Sequence, residues 1–141
     1  MRFVDTNVRL YAVSPLSEEV DKRRRARELL EQPNLAISVQ VLQEFHHQAI
    51  RPTSSAQLTP EDALDFLEPI LELPVQPLTA DLFLDAVAIS RCFQLSYWDG
   101  TISAAVRALG CDTVYSEDLS AQQNYDGLRV TNPFREGAEV P

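Results

Sequence analysis

The chain has 141 residues, 45% of them hydrophobic and 23% charged, with a formal net charge of −9. That length suits one domain with its own core, and the acidic balance argues against a general nucleic-acid binder, whose phosphate contacts leave a basic footprint. The sequence has neither a charged-then-apolar leader nor a membrane-length apolar run, so it reads as a cytoplasmic protein that is neither exported nor membrane-spanning.

The first strand is the stretch Arg2-Phe3-Val4-Asp5-Thr6-Asn7, an apolar run ending in an acid and two small polar residues. Helical spacing of Val8, Tyr11 and Ala12 follows at once. Ser14-Pro15-Leu16-Ser17 breaks that helix, and Ser17 is placed to cap a second one running to about Glu31. Its apolar stripe is thin (Val20, Ala26, Leu29, Leu30), and Lys22, Arg23, Arg24, Arg25 and Arg27 cover much of the rest. Such a cluster reads as a solvated helix face, with substrate phosphate or a partner protein as the sharper alternative. Leu35 to Ser38 is a second strand, and Ser38 caps a helix with Val41, Leu42, Phe45 and Ala49 on its apolar side and Glu44 in its second turn.

Pro52 to Leu58 is a polar loop. Thr59-Pro60-Glu61-Asp62 opens a helix with a cap, a proline in the first turn and acids beside it. Ala63, Leu64, Leu67, Ile70 and Leu71 form its apolar face, and Pro69 kinks or divides it. Val75 to Leu78 is a short third strand between prolines. Thr79 caps a helix with Leu82, Phe83, Ala86, Val87, Ser90 and Phe93 facing inward. Ser96 and Asp99 have capping-box spacing ahead of Ile102, Ala105, Val106 and Leu109, with Gly110 placed as the terminator. Thr113 to Ser116 is a fourth strand, followed by Glu117-Asp118, and Leu128 to Thr131 is a fifth. Residues 1–135 thus form the domain, and 136–141 a flexible tail. Cys92 and Cys111 match no metal or redox spacing and read as buried reduced thiols.

Strands that are continuous apolar runs, alternating with helices, predict an α/β fold with a parallel sheet covered on both faces. Right-handed crossovers bring every strand's carboxyl end to one edge. Asp5, Asp99 and Asp118 fall at that edge, and Glu44 can reach it. Four close carboxylates raise one another's pKa unless cations neutralise them, and their hard oxygens suit Mg²⁺ or Mn²⁺. Each acid also has an ordinary reading. Asp118 can be a turn or cap residue, Asp99 a first-turn acid favoured by the helix dipole, and Glu44 an exposed helix acid. Asp5 is hardest to explain away, since a charge ending a buried strand needs compensation. Asn7 two residues after Asp5 argues against a phosphoaspartyl enzyme, which commonly carries a second acid there.

The opening Val4-Asp5-Thr6-Asn7, the stretch Ser38 to Phe45, Leu95-Ser96-Tyr97-Trp98-Asp99 and Tyr115-Ser116-Glu117-Asp118-Leu119 together resemble the PIN-domain ribonucleases, specifically the toxins of VapC-type toxin–antitoxin pairs. The likeness runs from Phe3 to Phe134. It implies a PIN-like three-layer α/β/α fold with a parallel sheet of four to five strands. It also implies Asp5, Glu44, Asp99 and Asp118 as catalytic, Mg²⁺- or Mn²⁺-holding acids that hydrolyse RNA, a homodimer, and a cognate antitoxin protein as partner. A housekeeping RNA-processing nuclease and a non-catalytic partner-binding domain are the alternatives.

Around the acids, Thr6, Asn7, Ser116 and Glu117 are placed to support them by hydrogen bonds or metal-held water, and Glu117 can assist or replace Asp118. Arg9, Arg24 and Arg51 are candidate RNA contacts. Arg9 stands where the resemblance leads one to expect an apolar residue, and is open to being either a phosphate contact or a solvent-facing side chain. Gly100, where the resemblance leads one to expect alanine, should weaken its helix by about 1 kcal/mol. His46 and His47 are adjacent on a helix, point in different directions, and read as surface or packing residues.

Overall fold

The structure is a computed structural model that describes residues 1–135; the expected tail at 136–141 lies outside the described residues. Five strands form one sheet: β1 (Arg2–Val4), β2 (Leu35–Ser38), β3 (Val75–Gln76), β4 (Thr113–Tyr115) and β5 (Arg129–Thr131). Every pairing is parallel. The helices are α1 (Thr6–Ala12), α2 (Val20–Leu30), α3 (Val39–Ile50), α4 (Pro60–Leu67), α5 (Ala80–Cys92) and α6 (Tyr97–Ala108).

The strand order is β3-β2-β1-β4-β5. The chain builds outward from β1 to β3, then returns through α5 and α6 to lay β4 along the other side of β1. That reversal opens a crevice beyond the carboxyl ends of β1 and β4, the switch point where open α/β sheets place ligands. Phe3 is in register with Ala36 on one side and Val114 on the other. Alternate residues of β1 feed opposite layers. Phe3 packs with Ala36, Val114, Val41 of α3 and Val106 of α6. Val4 packs with Leu35, Tyr115, Val8 of α1 and Ala26 and Leu29 of α2. The α/β/α layering expected from the strand pattern is present.

Local capping explains most helix starts. Ser38, Thr59, Thr79 and Ser96 each accept a hydrogen bond from a backbone N–H three residues on. Each satisfies one of the donors a helix start leaves open. Ser17 does not cap: Ser17–Glu19 form a 3-10 turn, and α2 begins at Val20 without a side-chain cap. Pro69 divides the fourth helical region as expected, because a 3-10 turn over Pro69–Glu72 follows α4.

Several expectations of burial fail. Leu64, Leu71 and Phe83 are exposed although they keep apolar spacing, and Leu78, expected to end the third strand, is exposed beyond β3. Cys111 is buried but Cys92 is exposed on the last turn of α5. The basic cluster is mostly structural. Arg23 donates to Ser14 O (3.1 Å), Arg27 Nε to Ala12 O (2.9 Å) and Arg25 to Pro133 O (2.9 Å), tying α2 to the end of α1 and to the C-terminal segment.

Gly100 reverses its expected role. A Cβ at this position would lie 2.7 Å from Ala86 O and 3.0 Å from Ser90 Cβ of α5. Glycine is therefore what lets α5 and α6 approach closely, and alanine's better helix propensity is unusable here.

Candidate active site

Asp5 directly follows β1 and serves as the N-cap of α1, which begins two residues earlier than apolar spacing suggests. Thr6 N–H donates to Asp5 Oδ1 (2.7 Å) and Ser116 Oγ donates to Asp5 Oδ2 (2.7 Å). The carboxylate is only 5% exposed. Burial raises its pKa, Ser116 and the Thr6 N–H pull it back down, and the nearby charges of Glu44 and Asp118 push it up again. Asp5 is thus clamped in orientation and penalised for its charge.

The other acids come from three separate elements. Glu44, on α3, receives hydrogen bonds from Thr6 Oγ1 (2.8 Å) and Gln40 Nε2 (3.0 Å). Asp118 follows β4 and receives one from Asn7 Nδ2 (3.1 Å), which also reaches Ser116 Oγ (3.3 Å). Asp99 sits in the first turn of α6, its backbone N–H bonded to Ser96 Oγ (3.1 Å). Burial raises the Asp99 pKa, Ser96 lowers it, and Asp118 raises it. Thr6, Asn7 and Ser116 therefore each hydrogen-bond an acid, although the side chains of Thr6 and Asn7 reach Glu44 and Asp118 and not Asp5. Gln40, missed in the sequence, was legible as a partner four residues before Glu44 on one helix face.

All four acids line one cavity of about 190 Å³, with Thr6, Asn7, Gln40, Gln48 and Trp98 among its other walls and no lysine, arginine or histidine. Among the described residues, no three acidic, histidine or cysteine side chains are grouped so as to hold one ion as they stand. Thr6, Gln40, Asn7 and Ser116 each hold a carboxylate toward themselves. The chemistry of the donor set nevertheless fits a hard divalent cation: carboxylate, amide and hydroxyl oxygens with no cationic side chain among the cavity walls.

Glu117 belongs elsewhere. Lys22 Nζ pairs with its Oε2 at 2.8 Å and Tyr11 OH donates to its Oε1 at 2.6 Å. Burial would raise its pKa, but these two partners outweigh burial and hold it below the usual value. Glu117 thus acts as a tie between β4's end, α1 and α2, and as it stands it does not line the acid cavity. Replacing it with glutamine is expected to leave the four acids of the cavity in place, because Glu117 is not one of its walls. Because the folded-state pKa of Glu117 is lowered, its contribution to stability is present above the unfolded value and is lost as pH falls through the folded one. The stability difference between Glu117→Gln and wild type, read by urea titration, should therefore shrink in acid, from at most about 1 kcal/mol for so exposed a pair.

The candidate RNA contacts divide. Arg9 is 0% exposed and can touch neither solvent nor substrate as it stands. Its Nη1 donates to Val4 O (2.9 Å), and its Nε and Nη2 are buried without a hydrogen-bond partner. Burial lowers its pKa to about 9, with the charge of Asp5 acting in the opposite direction. It remains a cation at neutral pH, behind the acids. Arg24 pairs with Glu28 one turn away on an exposed face, apart from the acid cavity. Arg51 lines a second cavity of about 380 Å³ that shares Asn7, Gln48 and Asp118 with the first.

The PIN-domain family model matches residues 2–127, nearly the whole chain. The chain belongs to the PIN-domain family. No curated protein sequence matches this PIN domain significantly. Solved structures do. VapC20 of Mycobacterium tuberculosis, described as a sarcin–ricin-loop-cleaving toxin, is 21% identical with a TM-score of 0.63, covering 92% of this chain and 99% of its own. A toxin–antitoxin complex from Klebsiella pneumoniae is 20% identical with a TM-score of 0.62, covering 95% and 98%. VapBC2 of Rickettsia felis, bound to a DNA fragment from its promoter, is 20% identical with a TM-score of 0.63, covering 92% and 96%. Identity at this level shows a shared fold.

Proposed function

We propose that this PIN domain is a metal-dependent endoribonuclease that hydrolyses phosphodiester bonds of a structured RNA as the toxin of a toxin–antitoxin pair. The observation that carries the reading is the single cavity at the β1/β4 switch point, into which four separate elements send Asp5, Glu44, Asp99 and Asp118 with no cationic side chain among its walls. Family membership and the toxins among its structural neighbours support the toxin assignment. Asp5, Glu44, Asp99 and Asp118 would hold one or two Mg²⁺ or Mn²⁺ ions, which when bound supply charge neutralisation and activation of water.

The chain's own residues do the rest. Ser116 and the Thr6 N–H fix the orientation of Asp5, while Thr6 and Gln40 fix Glu44. Asn7 bridges Asp118 and Ser116, coupling α1 to the end of β4. As water attacks phosphorus and the ester P–O bond breaks, a carboxylate oxygen takes the proton that water releases, since no histidine or lysine lines the cavity, and the departing ribose oxygen takes a proton from that carboxyl or from solvent. A protein antitoxin, a homodimeric state and a cytoplasmic setting complete the proposal.

Two measurements test it. Purified protein should cut RNA only with added Mg²⁺ or Mn²⁺, and cleavage undiminished by chelator would sink the metal-dependent reading. Expression of the chain alone should arrest growth, with relief on co-expression of the adjacent gene. Unaffected growth would favour a housekeeping RNA-processing role instead.

A further inference from the structure

We propose that Trp98 is a stacking platform for an unpaired base of the RNA, so that the strand is cut beside a nucleotide held out of a helix. This rests on the ribonuclease reading of the acid cavity.

Trp98 is the only tryptophan of the chain, and it is 63% exposed. It precedes Asp99 in the first turn of α6, and Tyr97 meets it edge-on with ring centroids 5.2 Å apart. Its indole leaves a large flat apolar face open beside the acid cavity, where a ring of the ligand can stack. Trp98 lines the acid cavity and also an open cavity of about 490 Å³, completed by Gln40, Gln43, Glu44, His47 and Gln48 of α3.

The chemistry of that second cavity favours a base over a phosphate. Its walls hold an aromatic ring, three amides, a histidine and the acid Glu44, and no lysine or arginine. With neither lysine nor arginine among its walls the cavity offers a phosphate little, whereas a neutral base can stack on indole while amides meet its edge with both donors and acceptors. Gln40, Glu44, Gln48 and Trp98 are common to both cavities, so one continuous strand can span both. The cavity containing Arg51, which shares Gln48 with both, also holds the hydroxyls of Thr53, Ser54 and Ser55 and the acids Glu19 and Asp118, and its one cation suits the sugar–phosphate backbone. Paired bases cannot present a face to a side chain, so the platform selects single-stranded or looped RNA.

The sole tryptophan makes the test direct. In the cleavage-deficient Asp5→Asn protein with Mg²⁺, a short single-stranded RNA should quench Trp98 fluorescence, and the same RNA annealed to its complement should not. In the otherwise wild-type chain, Trp98→Leu should raise KM for single-stranded RNA about 10-fold or more, the scale of one lost stack, and Trp98→Phe should recover most of it. Trp98 is exposed, so circular dichroism and melting of both variants should match wild type. Equal quenching by duplex, or unchanged kinetics in Trp98→Leu, would overturn the platform while leaving the ribonuclease reading intact. A protein-concentration-dependent blue shift of Trp98 that RNA does not reverse would show a second copy covering the residue and would also overturn it. Failure to bind or cut any RNA would remove the ribonuclease reading and this inference together.

Discussion

Asp5→Asn is expected to reduce RNA cleavage at least 100-fold while the protein folds as stably as wild type or more so. Asparagine keeps the shape of the side chain, and its Oδ1 can still accept from the Thr6 N–H. Ser116 Oγ donates to the other Asp5 oxygen and already accepts from Asn7 Nδ2 and the N–H groups of Asp118 and Leu119, so this one hydrogen bond is lost to the new amide, against the larger relief of a buried charge. The capping of α1 therefore survives. What is lost is a negatively charged oxygen at the centre of the acid cavity, which costs more than the 10- to 100-fold typical of residues one shell further from a metal.

The stability half follows from the raised pKa of Asp5. A carboxyl whose folded-state pKa lies above its unfolded value contributes stability that is fully present below the unfolded value, about 4, and is lost as pH rises through the folded one. Near neutrality, without cation, the folded chain bears the cost of a buried charge that asparagine does not carry. Melting in chelator should thus place Asp5→Asn at or above wild type near neutral pH. Added Mg²⁺ should raise the wild-type melting temperature and leave that of the variant nearly unchanged, because only a ligand bound by the folded state stabilises it. Wild-type cleavage in this variant would contradict the site assignment outright.

Gly100→Ala is expected to destabilise the fold by about 1–3 kcal/mol, the cost of forcing a methyl into a packed interface. Helix propensity alone predicts the opposite sign, a gain of about 1 kcal/mol. The contact decides. The obstructing atom at 2.7 Å is the backbone oxygen of Ala86, which cannot swing aside as a side chain would. Either α5 and α6 separate or the first turn of α6 shifts, and that turn carries Asp99. Denaturant titration should show the lower stability, with cleavage falling alongside. A more stable Gly100→Ala would mean that the two helices are less closely apposed.

Cap residues at Ser38, Thr59, Thr79 and Ser96 were legible because a cap is a contact within one turn. The strands were legible as short apolar runs bounded by turn residues, for the same local reason. The acids were legible as a set because parallel topology sends strand ends to one edge. Burial on amphipathic helices was less so: Leu64 and Phe83 have the spacing of inward residues but face outward, since spacing fixes which residues share a face and not which face is covered. Arg9 was misread for the opposite reason. A fully buried guanidinium runs against the transfer cost of charge, and only the packing of α1 on the sheet reveals it.

The sequence by itself determined the element types, most helix starts, the parallel sheet and the gathering of four acids at its carboxyl edge, because each depends on neighbours along the chain or on the uniform handedness of crossovers. The tertiary structure alone decided that β4 lies beside β1, which brings Ser116 and Asp118 to Asp5 and Asn7. It alone turned Glu117 toward Lys22, made Gly100 obligatory, and left Trp98 exposed at the mouth of the acid cavity. These are outcomes of which surfaces meet, and residues about 100 positions apart in the chain carry no local signal of meeting.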